Sequence, residues 1–252
     1  MNIIPHLEFN EGAYFPFKGM HDITLSLYEL AKRLGVEFQF GKKVSAIVVE
    51  KKTAKGVLID EEIHSFDAVV SNMDVVNTYR KILPDQKQPN FLLNQPKSSS
   101  ALIFYWGIAG EFPSMELHNI FFSENYKEEF DRIFNKGAIY HDPTVYVNIT
   151  SKHKKDDAPD QHENWFTMIN VPNNNGQNWE EFIQEARAII INKLSSILQV
   201  DVSELIVCEE ILDPVTIESK TSSSKGALYG NSSNNKYAAF LRHANFSRKV
   251  KG

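Results

Sequence analysis

The 252-residue sequence has one cysteine, Cys208, and twelve glycines, none of them arranged as Gly-x-Gly-x-x-Gly. A single cysteine excludes a disulfide within the chain and is typical of a reducing compartment. Cys208 lies in a β-prone segment, residues 205–211, where a small packing residue is expected rather than a nucleophile. Without the glycine pattern, the sequence has no loop that would let the backbone approach a pyrophosphate at a helix N-terminus.

Long apolar runs and basic blocks are also missing. No stretch reaches the roughly 20 apolar residues that a membrane-spanning helix needs. The first five residues lack the basic start and the apolar core of a signal peptide. The net charge is -5, without a basic cluster, which argues against a nucleic-acid partner. We therefore expect a cytoplasmic protein that binds no nucleic acid.

The sequence gives no metal-binding or hydrolase motif. Its eight histidines are scattered and none forms His-Glu-x-x-His, so we expect no metal site. No serine lies in a Gly-x-Ser-x-Gly context. The adjacent pairs His141–Asp142 and His162–Glu163 lie in turn-like sequence, which favours solvated loops over a catalytic dyad. The catalytic residues stay unknown.

Periodic segments nevertheless fill most of the chain, and 42% of the residues are hydrophobic. Helical spacing predicts helices over residues 22–34, 74–83, 124–134 and 179–198. Apolar or alternating runs predict strands over residues 36–40, 44–50, 56–59, 66–70, 101–109, 119–122, 144–149, 165–171 and 205–212. This irregular mixture predicts an α+β fold with helices and a mixed, antiparallel-rich sheet. The polar segment 86–100, with two prolines, indicates a domain transition.

Several segments follow one another in an order that resembles the phytoene dehydrogenases (carotenoid desaturases) and related FAD-dependent oxidoreductases. They are residues 12–20, 68–74 (Ala-Val-Val-Ser-Asn-Met-Asp), 121–126 (Phe-Phe-Ser-Glu-Asn-Tyr), 142–147 and 226–230 (Gly-Ala-Leu-Tyr-Gly). The resemblance implies an internal segment of such an enzyme, lacking the N-terminal glycine loop and the C-terminal flavin motif. It implies a partial FAD-binding domain at 1–85, a substrate domain at 86–225 and a segment returning to the FAD domain at 226–252.

The resemblance also implies which residues contact the cofactor. Val44 occupies the position at which backbone N–H and C=O groups of the family contact the edge of the FAD adenine. Ser71-Asn72 is similar to the family's Ser-Asn-Ala-Asp turn near the cofactor. A packing role for Val44 and a helix-start role for the turn remain open. FAD is the cofactor of the intact family. We expect this chain to hold none, because the pyrophosphate loop is missing.

The substrate implied by the resemblance is a carotenoid or similar isoprenoid, dehydrogenated at a carbon–carbon bond with FAD as acceptor. Phe104 and Trp106 share one face of a strand and, with Tyr146, are expected to line an apolar tunnel. Peripheral membrane contact and a homo-oligomer are further expectations. Two alternatives remain: a non-catalytic module that binds an apolar ligand or a partner, and a fragment of an amine-oxidase-type flavoprotein. Whether the chain alone is an enzyme stays open.

Overall fold

The computed structural model describes residues 3–232, 243–246 and 249–252. Its α-helices are α1 (Ile3–Glu11), α2 (His21–Arg33), α3 (Val75–Asn77), α4 (Asn90–Leu93), α5 (Tyr126–Asp131), α6 (Trp179–Leu198), α7 (Val202–Leu205) and α8 (Pro214–Thr221). Its strands are β1 (Val44–Glu50), β2 (Thr53–Ile59), β3 (Glu62–Ser65), β4 (Ser100–Ala109), β5 (His118–Phe121), β6 (Val145–Asn148), β7 (His162–Val171) and β8 (Ile206–Leu212). Within these residues, no helix has both the length and the apolar character to cross a membrane.

The strands form two antiparallel sheets. One has three strands in the order β1-β2-β3, and the other has five in the order β5-β6-β7-β4-β8. The predicted α+β class is therefore confirmed. The first sheet lies before the polar segment 86–100 and the second begins at its end. The domain boundaries stay predictions, and residues 233–242 and 247–248 of the expected return segment lie outside the described residues.

Two tight hairpins build the three-stranded sheet. Lys51 and Lys52 connect β1 to β2, and Asp60 and Glu61 connect β2 to β3; all four residues have positive φ, between 47° and 67°. Two successive left-handed residues are the signature of the type I′ turn, whose twist matches that of antiparallel strands. Gly56 lets β3 approach closely, because a Cβ atom there would lie 2.0 Å from the His64 carbonyl oxygen.

The five-stranded sheet owes its two different faces to strand alternation. β4 pairs with β7 along its whole length, from Ser100 opposite Val171 to Ala109 opposite His162. Side chains at alternate positions of β4 point to opposite sides. The even-numbered face is buried against α6 in one core cluster. Its members include Leu102, Phe104, Trp106, Ile108, Trp165, Ile169, Phe182, Ala186, Ile190 and Leu194.

Two predicted strands are wrong: residues 36–40 and 66–70 do not form strands. The sheet's third strand is instead β3, set by the tight turn that follows β2. The backbone amides of Phe66 and Val69 donate to the carbonyls of Lys55 and Gly252, respectively, without forming a continuous ladder. Val70 is 94% exposed. Apolar composition predicted buried strands, but Phe38 and Phe40 instead pack on Tyr28 of α2 without pairing to a sheet.

Helix α2 is present as predicted, but its apolar face is largely exposed. None of its residues is buried, and its apolar face shows Ile23, Leu27 and Leu30 at 43–61% exposure. The periodic pattern correctly predicts an amphipathic helix. It does not specify what lies opposite, and nothing in the described residues covers this face. Coverage by a second copy of the chain stays a prediction.

The two faces of β4 should differ in their contribution to stability. Phe104→Ala removes a fully buried ring and should lower the free energy of unfolding by about 3–5 kcal/mol. Tyr105→Ala, at the neighbouring position, removes a ring that is 41% exposed and should cost about 1 kcal/mol. Urea unfolding followed by circular dichroism measures both. Equal losses would contradict the assignment of the faces.

Candidate functional site

A cleft of about 1260 Å³ lies between the three-stranded sheet, residues 69–73 and α8. Val44, Ser71 and Asn72, the three residues predicted to contact the cofactor, all line it. Ile47 and Val57 also line it and face each other across β1 and β2, so they supply an apolar floor. The fold thus brings together residues that are far apart in sequence. Their role in binding a cofactor stays a prediction.

The start of β1 offers backbone groups to this cleft. β1 is an outer strand of its sheet, so one edge carries N–H and C=O groups that no strand of the described chain pairs. The register of the β1–β2 pairing is irregular between Val44 and Ala46. In the same place, the hydroxyl of Ser45 donates to the Leu58 carbonyl (3.0 Å). Such edge groups suit the hydrogen-bonding edge of a planar base.

The turn that carries Ser71 and Asn72 is held by the helix that follows it. The Ser71 hydroxyl contacts the Thr78 hydroxyl at 2.9 Å. Asp74 caps α3, accepting from the backbone amides of Val76 (2.8 Å) and Asn77 (3.3 Å). Asn72 is exposed, and its side-chain amide makes no hydrogen bond within the described residues. The turn therefore presents a hydroxyl and a free amide on a fixed backbone.

The charges at the cleft are mixed. Lys43 and Lys81 contribute two ammonium groups, and Glu218 on α8 contributes a carboxylate. The apolar floor, the strand edge and the free amide fit the base end of a dinucleotide. The pyrophosphate has no counterpart, because the sequence lacks the glycine loop. In the part of the chain that the structure describes, no group of three or more His, Cys, Asp or Glu is placed to hold a metal.

The face of the large sheet opposite α6 carries a row of rings. Tyr105 on β4 meets Phe166 on β7 edge-on at 5.4 Å between ring centroids. Phe166 meets Tyr146 on β6 at 6.1 Å. Ile120 on β5 and Met168 on β7 flank Tyr146 in the register. We call these five residues the aromatic band; it is half-exposed and lies across four neighbouring strands.

The three residues predicted to contact substrate do not share a face. Phe104 and Trp106 are 0% and 2% exposed, and the Trp106 indole donates to the Glu209 carboxylate at 2.5 Å. Both rings are core residues beneath α6 and have no surface to present to a ligand. Tyr146 lies on the opposite face, in the aromatic band. Alternation along β4 predicts that Phe104 and Trp106 point the same way, but not which face α6 covers.

The phenols of the aromatic band are held neutral. Burial raises the pKa of Tyr105 above its usual value. Burial raises the pKa of Tyr146 as well, although a hydrogen bond with Asn148 opposes part of that shift. A phenol is already neutral near pH 7, so the upward shift keeps charge off this surface. The five side chains of the band therefore offer aromatic and aliphatic contact and carry no charge themselves, while Glu210 on β8 borders the band opposite Tyr105.

Lys97 is a buried cation that the sequence did not single out. It is 8% exposed, and its ammonium donates to the Leu93 carbonyl (3.1 Å) and to the Asn231 side-chain oxygen (2.5 Å). Burial lowers the pKa of Lys97, and the charge of Asp74 opposes that shift. These contacts tie residue 231 to the end of α4. No catalytic acid or base is assigned.

Comparison with known proteins gives the family context. Residues 3–105 match the family model described as flavin containing amine oxidoreductase. A 1-hydroxycarotenoid 3,4-desaturase from Flavobacterium sp. (strain P99-3) is 53% identical over 250 residues, covering 99% of this chain and 51% of the relative. A phytoene desaturase from Neurospora crassa is 32% identical over 246 residues, covering 91% of this chain and 41% of the relative.

A solved structure supports the fold alone. The crystal structure of an oxidoreductase from Methanosarcina mazei aligns with a TM-score of 0.57 at 16% identity, covering 77% of this chain and 42% of that one.

The class defined by these matches is that of the FAD-dependent, flavin-containing oxidoreductases. Within that class the chain is similar to the phytoene-desaturase-like proteins, since the carotenoid desaturase matches run along 91–99% of it. The resemblance found in the sequence is thereby confirmed. The chain spans about half the length of the curated relatives it matches.

The Asp74 cap should set the order of the Ser71–Asn72 turn. Asp74→Ala removes the acceptor for two amides and should lower the free energy of unfolding by about 1 kcal/mol. Amide exchange at Val76 and Asn77 should become faster. Asp74→Asn is the matched control, because its side-chain oxygen still caps the helix. If Asp74→Ala is as stable as Asp74→Asn and its amides exchange no faster, the Asp74 side chain does not hold the turn.

Proposed function

We propose that this chain forms the substrate-binding part, and the base-end cofactor contacts, of an FAD-dependent oxidoreductase that dehydrogenates a carotenoid or similar isoprenoid. The aromatic band is the observation that carries the proposal. A polyene has no charge to grip, so a protein must hold it by shape and by burial of apolar surface. The relatives named above are carotenoid desaturases, which supports the same substrate class.

The roles of the residues follow from where they lie. FAD, when bound, supplies the acceptor for a hydride removed from a saturated carbon pair. Val44, Ser71 and Asn72 would hold its base end in the cleft. Tyr105, Phe166 and Tyr146 would orient the chain of the substrate and keep water away from it. The direction of the reaction and the group that takes up the proton are not assigned.

The aromatic band also bears on the two alternatives. An amine-oxidase-type protein would bind a polar amine, and the uncharged band favours an apolar ligand instead. A non-catalytic module for apolar ligands would use the same band without any flavin. Flavin binding distinguishes the non-catalytic module from the proposed oxidoreductase, whereas polyene binding is expected of both.

Flavin retention is the first test. We expect the 252-residue chain to bind FAD weakly and to lose it on gel filtration, because only the base end of the cofactor finds contacts. In equilibrium dialysis, Asn72→Ala should weaken the residual binding several-fold. Asn192→Ala, an exposed asparagine on α6, should leave it unchanged. Stoichiometric flavin absorbance after gel filtration would show that the missing loop is not needed.

Polyene binding is the second test. Ile120→Glu places a charge in the aromatic band, at a side chain that is 53% exposed. It should reduce retention of a detergent-dispersed carotenoid at least about tenfold, since the ligand would desolvate the carboxylate. Ile197→Glu is the matched control: it is 49% exposed and lies on α6, behind the sheet. Visible absorbance after gel filtration gives the bound amount. Equal retention by both variants would contradict the proposal.

A further inference from the structure

The side chains on the open face of the large sheet, the face opposite α6, form rows that cross the strands. Residues directly opposite each other in an antiparallel pair share a face. From β8 to β5, one row consists of Glu210, Tyr105, Phe166, Asn148 and His118. The next row consists of Leu212, Ile103, Met168, Tyr146 and Ile120. The aromatic band takes its five members from these two rows.

The aromatic band extends across the strands and not along them. On β7, the open-face positions on either side of Phe166 and Met168 are Asn164 and Asn170, so polar side chains bound the band in the strand direction. The band covers three strand spacings from β4 to β5, which amount to about 14 Å. A rod-shaped polyene in the band therefore lies across the strands.

The two sides of the aromatic band differ in what lies beyond them. On one side, β5 is an outer strand and Ile120 is 53% exposed, so the band is open there. On the other side, Ile103 is only 6% exposed and α8 packs against β4, so the row of Ile103 is covered at this strand. Tyr105 is 41% exposed. The row of Tyr105 therefore stays open as far as Glu210 on β8.

Glu210 presents an uncompensated carboxylate at this point. Its side chain is exposed, and it has no ion pair or hydrogen bond with another described residue. The neighbouring Glu209 points to the opposite face, where it accepts from the Trp106 indole and from Arg187 (2.8 Å). A polyene lying against Glu210 would remove water from the carboxylate without giving it a partner, which is unfavourable. An apolar ligand is therefore expected to stop at Tyr105.

We propose that Glu210 is a specificity-determining residue that ends the polyene seat at β4. A polyene longer than the aromatic band extends past β5 and not onto β8, and this fixes which of its carbons lie over Tyr105 and Phe166. The proposal rests on the proposed function, because it takes the aromatic band as the seat of the polyene. It deepens that function by assigning the position of the ligand along the band to one side chain.

The test compares two unsubstituted polyene hydrocarbons dispersed in detergent, one of about 14 Å, the length of the band, and one about twice as long. Glu210→Leu should raise retention of the long polyene about tenfold and leave that of the short one unchanged, because leucine adds apolar surface on β8 that only the longer ligand reaches. Glu210→Gln should give a smaller gain, since an amide costs less to desolvate than a carboxylate but is not apolar. Polyene absorbance after gel filtration measures retention.

Glu185→Leu is the matched control. It makes the same change at an exposed position of α6, behind the sheet, and should alter the retention of neither polyene. Thermal unfolding checks that each variant is folded.

The outcomes separate this inference from the proposed function. If Glu210→Leu raises the retention of both polyenes equally, or of neither, Glu210 does not end the seat, while the proposed function stands. An equal gain in Glu185→Leu overturns the inference in the same way. Retention of the long polyene alone by the unmodified chain also overturns it, because the aromatic band would then not be the whole seat. Retention of neither polyene contradicts the proposed function itself.

Discussion

The antiparallel pairing of β4 with β7 is the constraint on which the rest of the structure depends. Ten residues of each strand face each other, and a single register decides which side every ring occupies. Trp106 opposite Trp165 belongs to the core, whereas Tyr105 opposite Phe166 belongs to the open face. A slip by one residue would exchange the two sets. The core under α6 and the aromatic band are therefore two results of one alignment.

The helices and strands of the large sheet region could mostly be predicted from the sequence, because the residue patterns that specify them are local. The spacing of apolar residues over 179–198 predicts both ends of α6 correctly, and the apolar run from 101 predicts β4. The side of β4 that α6 covers could not be predicted in this way, because it depends on a contact between segments far apart in the chain. For this reason Phe104 and Trp106 were expected at a ligand and lie in the core, while Tyr105 and Phe166 were missed.

Around the cleft, too, some features could be predicted from the sequence and others could not. Val44, Ser71 and Asn72 were chosen by resemblance, and the fold places them around one cleft. The strands expected at 36–40 and 66–70 failed, because a short apolar run says that burial is favourable but not that a neighbour exists to provide it. The turns at Lys51–Lys52 and Asp60–Glu61 decided the sheet instead, and their left-handed backbone has no strong sequence signal in lysine or glutamate.

Helix α8 lies between the cleft and the large sheet and contacts both. Glu218 and Ser219 on this helix line the cleft, while the helix also packs against β4 of the large sheet. The side-chain amide of Asn77 donates to the carbonyl of Ser222, just after α8, at 2.7 Å and so ties α8 to the helix that follows the Ser71–Asn72 turn. A displacement of α8 reaches both regions at once. Movement of α8 on one side would therefore be transmitted to the other, and coupling of that kind acts equally in both directions.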